Sequence, residues 1–106
     1  VNTILIVGNV CNDPKTYTGA SGIKRADFRV AVKRRYGGSD GERKTDFFTV
    51  VAWRASADFV ERNIKKGMSV AVSGAMENRS YEKDGGEKRF IWELNADEIK
   101  ICGGQR

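Results

Sequence analysis

Hydrophobic and polar positions alternate with a period of two along most of this chain, and the interruptions are turn residues. The first ten residues are the exception. There Ile4, Leu5, Ile6 and Val7 run together before a turn marked by Asn12, Asp13 and Pro14, which predicts a strand over residues 1–10 buried on both faces. Gly8 within it allows the backbone to bend. Residues 15–23 are loop-like, with Tyr17 and Thr18 able to add a short edge pairing. From residue 24 to 33 Ala26, Phe28, Val30 and Val32 point one way and Asp27, Arg29, Ala31 and Lys33 the other, a half-buried strand. A glycine-rich tip over residues 34–44, holding Gly37, Gly38, Ser39, Asp40 and Gly41, turns the chain into a third strand at 45–53. Pleat geometry places Phe47, Thr49, Val51 and Trp53 on one face of that strand and Phe48, Val50 and Ala52 on the other.

After the third strand the period changes. Ala57, Val60 and Ile64 share a stripe, and Lys65, Lys66 and Gly67 form a cationic, glycine-terminated end, which predicts a helix over 55–64. A fourth strand follows at 69–78, with Val70, Val72 and Met76 on one side and Gly74 at a bend. A second hairpin tip lies at Asp84, Gly85 and Gly86. The last strand, 90–101, alternates Phe90, Trp92 and Leu94 against Ile91, Glu93 and Asn95. Three strands, a helix and two strands, with two long hairpins, predict an all-β, five-stranded OB-fold Greek-key barrel with its helix between the third and fourth strands. SH3-like barrels compete, but the placement of the helix favours the OB-fold. The barrel domain is assigned to residues 1–102, with 103–106 as the start of a linker.

Composition narrows the function. In 106 residues there is no histidine, which removes the commonest acid–base group and metal ligand; neither paired carboxylates nor a metal-spaced cluster replaces it. No enzyme activity, metal or cofactor is expected. Cys11 and Cys102 match no zinc or redox spacing and are taken as free thiols. There is no membrane span or signal peptide, so a soluble, intracellular protein is expected. The net charge of +5 is unevenly placed: residues 1–53 hold nine Lys and Arg against five acids, and residues 24–35 hold six bases against Asp27. A local excess of this kind points to a polyanion partner. Residues 33–53 combine it with aromatics, as Lys33, Arg34, Arg35 and Tyr36 lead through the tip to Phe47, Phe48 and Trp53. Cations suit phosphates and aromatic faces suit unpaired bases, a pairing that suggests single-stranded nucleic acid.

Several stretches, ILIVGNV followed by DP, ADFRVAVKRRY, GERKTDFFTVVAWR, IKKG, VSGAMENRSYEKDGG and IWELNADEI, together span almost the whole chain. In these the sequence resembles the bacterial-type single-stranded DNA-binding proteins and their mitochondrial relatives. The resemblance implies an OB-fold protein, usually a homotetramer, that binds single strands in replication, recombination and repair. It puts the stacking aromatics at Tyr36, Phe47, Trp53 and Tyr81. Around these, Lys33, Arg34, Arg35, Arg79, Lys88 and Arg89 are expected to contact phosphate, and Phe90 and Trp92 are further platforms or interface residues. A bacterial, nucleoid-associated location in the cytoplasm is expected ahead of the mitochondrial matrix. Members of that family often carry an acidic C-terminal tail that docks replication and repair proteins. This chain stops at Cys102, Gly103, Gly104, Gln105 and Arg106, so the tail is absent and a trimmed core is expected. Phe48 departs from the polar residue some members have. Two other readings stay open: an RNA-binding OB module, which would bind polyuridine as tightly as polythymidine or more tightly, and a scaffold subunit, whose Trp53 and Trp92 fluorescence oligonucleotides would not change.

Overall fold

In the computed structural model, residues 1–37 and 41–103 are described. The centre of the glycine-rich tip (Gly38, Ser39, Asp40) and the linker residues Gly104, Gln105 and Arg106 lie outside them. The elements in order are β1 (Ile4–Val10), β2 (Lys15–Thr18), β3 (Lys24–Gly37), β4 (Arg43–Trp53), α1 (Ala55–Asn63), β5 (Ser69–Glu82) and β6 (Lys88–Gly103). The barrel is the one the alternation predicts. The short β2 is the edge pairing anticipated at Tyr17 and Thr18, and it lies on β3 with Lys15 opposite Asp27. Counting it, the helix stands between β4 and β5.

One six-stranded sheet, in the order β1-β5-β6-β4-β3-β2, closes into the barrel through an added β1–β3 pairing. It has two antiparallel halves, β5 flanked by β1 and β6, and β3 flanked by β2 and β4. The halves join through two short contacts. On one side β1 meets β3 at Asn9–Ala31 and Val10–Val30, and on the other β4 runs parallel to β6 at Val50–Leu94 and Val51–Asn95. Glycine makes the tight places possible. A Cβ on Gly8 would collide with the Ala31 carbonyl, and one on Gly74 with the Asn95 carbonyl. At Gly74 the β5–β6 register also shifts, the bulge by which a small barrel bends.

The interior is aliphatic with one large aromatic: Phe28 among Ile6, Val10, Val30, Val50, Val70, Val72 and Leu94. Helix α1 closes one end by burying Ala57 and Val60, with Ile64 just beyond its last turn. The turn after β1 is held by its own polar residues, since Asn12 accepts from the Arg29 amide at 2.9 Å and Asp13 from the Lys66 amide at 3.0 Å. Lys24 ties the start of β3 to the helix through Asp58 at 2.9 Å and through Glu61.

The first strand departs from expectation. It begins at Ile4 and is buried on one face only: Ile6 and Val10 enter the core, while Leu5 and Val7 are 67% and 56% exposed. An unbroken apolar run describes a strand covered on both sides equally well as one whose outer face is apolar and open. Both hairpins are also longer than predicted, with β3 reaching Gly37, β5 reaching Glu82 and β6 starting at Lys88.

Candidate nucleic-acid interface

β4 separates its two aromatic neighbours as its pleat requires. Phe48 packs against the core with Val50 and Ala52, whereas Phe47 and Trp53 are 55% and 44% exposed on the opposite face. Their floor is Val51, buried although it faces away from the barrel interior. Register then decides what surrounds each ring. Arg25 of β3 stands opposite Trp53, and Ala31 opposite Phe47 with Arg29 two residues away. The Arg25 guanidinium lies 5.6 Å from the centre of the Trp53 ring and that of Arg29 lies 4.8 Å from Phe47, both within cation–π range. The Trp53 indole N–H donates to the Asn95 side chain at 3.0 Å, which fixes the ring's orientation across the β4–β6 contact.

The β5–β6 hairpin extends this face. Arg79 pairs with Ile91 and Tyr81 with Arg89, so Arg79, Tyr81 and Arg89 share a side with Ile91, Glu93 and Asn95. Glu93 is buried at its centre. It accepts from Arg25 at 3.1 Å and from two nitrogens of Arg79 at 3.1 and 3.3 Å. The Glu93 hydrogen bonds hold the Arg79 guanidinium above its ordinary pKa. Asn12, Lys15, Arg25, Asp27, Arg29, Thr49, Arg79 and Glu93 line a groove beside Trp53 in which cations outnumber acids.

The predicted residues divide into groups. Phe47, Trp53, Arg79, Tyr81 and Arg89 share the face just described. Tyr36 stands 77% exposed on the far end of β3, with the Arg35 guanidinium 5.5 Å from its ring. Lys33, Arg35 and Lys88 are exposed, with no acidic partner among the described residues. Arg34 is bound to Asp46 by two hydrogen bonds of 2.9 and 3.0 Å, which hold the Asp46 carboxyl below its usual range. Arg89 pairs with Glu87 at 3.2 Å. Phe90 and Trp92, 67% and 59% exposed, share a side with Leu94, away from Tyr81.

Four contributors escaped the sequence reading: Arg25, Arg29, Glu93 and Asn95. Alternation along residues 24–33 had already put Arg29 on the outward face with Lys33. The Arg25–Trp53 and Val51–Asn95 pairings depend on strand register, which no local pattern states.

The family model described as the single-strand binding protein family matches residues 1–102. A single-stranded DNA-binding protein of Caldanaerobacter subterraneus subsp. tengcongensis is 32% identical over 101 residues, covering 95% of this chain and 67% of the relative. Single-stranded DNA-binding protein 1 of Staphylococcus aureus is 33% identical over 114 aligned positions, covering 100% and 68%. The corresponding protein of Halalkalibacterium halodurans is 33% identical over 101 residues, covering 95% and 60%.

Proposed function

Because this chain belongs to the single-strand binding protein family, we propose that it binds single-stranded DNA along the face formed by β3, β4 and the β5–β6 hairpin. Bases stack on Phe47, Trp53 and Tyr81, with Tyr36 extending the path. Lys33, Arg35 and Lys88 meet phosphates directly; Arg34, Arg79 and Arg89 lie along the same path, but each holds a carboxylate (Asp46, Glu93 and Glu87) that competes with phosphate for it. The observation that carries this reading is the pair Phe47 and Trp53, two large rings left in solvent on one strand, each beneath an arginine. Stacking of this kind tolerates any sequence, because every base has a π-face. A duplex hides those faces, so the chain selects unpaired strands and keeps them unpaired during replication, recombination and repair. No bond of the DNA is made or broken.

The same premise supports assembly into a homotetramer, with Leu5 and Val7 on the open face of β1 as contact residues and Phe90 and Trp92 available to a second surface. We assign the activity to the bacterial nucleoid, a reading supported by the bacterial origin of the relatives. The test is a titration of labelled polythymidine and of a duplex of equal length, following tryptophan emission. Tight binding and quenching with polythymidine alone is expected; equal affinity for the two would overturn the reading.

A further inference from the structure

We infer that Glu93 is a positioning residue that withholds Arg25 and Arg79 from phosphate, and so sets how tightly and how salt-sensitively the face holds single-stranded DNA. This deepens the reading above and rests on it. Glu93 is 6% exposed and is the one charged side chain buried among the described residues, and it lies in the middle of a surface that otherwise favours anions. A buried carboxylate must be paired, and here both partners are arginines of that surface. Arg79 engages it through Nε and Nη2, and Arg25 through Nη2, which is also 3.6 Å from Asp27.

A carboxylate and a phosphate present a guanidinium with the same forked pair of oxygens. Glu93 therefore occupies, from within, the position a backbone phosphate would take beside Trp53. The arrangement is poised for exchange. Arg79 is half exposed, so its guanidinium can turn outward while its strand stays in place. The buried Nε of Arg25 has no hydrogen-bond partner, so this guanidinium is not fully satisfied where it lies. Stability alone does not explain the cluster, since buried ion pairs are often replaceable by apolar residues at no cost.

The test is the dependence of polythymidine affinity on salt, read by tryptophan quenching. Each phosphate contact on a single strand contributes about −0.7 to the slope of log K against log salt. Glu93→Gln keeps the shape and removes the charge. It is expected to steepen the slope by about 0.7 to 1.4, for one or two released arginines, and to tighten binding about tenfold at low salt. Adding Arg79→Gln to that variant should take back about half of the gain. Asp97→Asn, the same charge change in the pocket beside the start of α1, should leave the slope unaltered. An unchanged or shallower slope in Glu93→Gln overturns the inference, as does equal steepening by Asp97→Asn. If Glu93→Gln does not fold, Glu93→Asp decides: the shorter acid cannot span both arginines, so a slope steeper by about 0.7 supports the inference and an unchanged one overturns it. An unaltered chain that fails to bind polythymidine overturns both this inference and the functional reading. One that binds, with the Glu93 variants unmoved, overturns only this inference.

Discussion

Trp53 shows how much a single residue's surroundings decide. Its ring is fixed by the hydrogen bond to Asn95 and flanked by Arg25, so a base stacking there as proposed would meet a surface already in place, and little rotamer freedom would be lost on binding. Trp53→Ala should weaken polythymidine binding by about 1–3 kcal/mol, measured by anisotropy of a labelled strand. Trp53→Phe should remove most of the tryptophan quenching, which Trp92→Phe should largely preserve. Arg54 lies next to it in the chain and is the one non-glycine among the described residues with positive φ, at φ 58° and ψ −121°. The conformation carries the chain from β4 into α1 while the Arg54 amide donates to the Lys24 carbonyl at 2.8 Å. An L side chain there costs roughly 1–3 kcal/mol, partly offset by the freedom glycine gains in the unfolded chain. Arg54→Gly should therefore stabilise the domain by about 1 kcal/mol, seen as a higher midpoint in thermal or urea unfolding.

At the scale of elements, ion pairs bind neighbouring segments, among them Arg34–Asp46 across the β3–β4 hairpin and Lys24–Glu61 between β3 and α1. Hydrogen bonds from the cations hold both carboxyls below their ordinary pKa. A depressed carboxylate contributes stability above its unfolded pKa and loses it as pH falls through the folded value. The thermal midpoint should therefore stay level from neutral pH down to about 5 and drop below about 4, with Asp46→Asn shrinking that drop. The elements also show what the sequence made legible. Alternation placed Phe47 and Trp53 on one face and Phe48 on the other, and it identified the Ala57, Val60, Ile64 stripe, because pleat and helical period are local properties. It also put Phe90 and Trp92 on the side of Leu94. It could not say that β6 projects beyond the barrel at their level, so that a side that is core at Leu94 is solvent at Phe90. Likewise the run from Ile4 to Val7 carried no sign of which face would be left open.

For the whole molecule, charge has to be counted after folding. Of the six bases between residues 24 and 35, Lys24, Arg25 and Arg34 each hold an acid, so the cluster seen in the sequence overstates what a polyanion meets on approach. With Lys33, Arg35 and Lys88 as the direct contacts, log K against log salt should have a slope of about −2 per chain, well below what the full set of bases would give. Assembly is tested at the same scale. Leu5→Lys places a charge on the open face of β1 and should shift the light-scattering mass to a smaller species while the circular dichroism of the fold persists. Among the described residues, the two antiparallel halves of the sheet pair where β1 touches β3 and where β4 runs beside β6. Trp53 and Phe47 belong to one half, and Tyr81, Arg79 and Asn95 to the other. On the proposed path, a DNA strand laid across both would work as a clasp over the β4–β6 seam, making each captured nucleotide part of the protein's own architecture. Amide hydrogens at Val50, Val51, Leu94 and Asn95 should exchange more slowly in the complex than those of α1, so the lifetime of the closed barrel becomes a readout of occupancy.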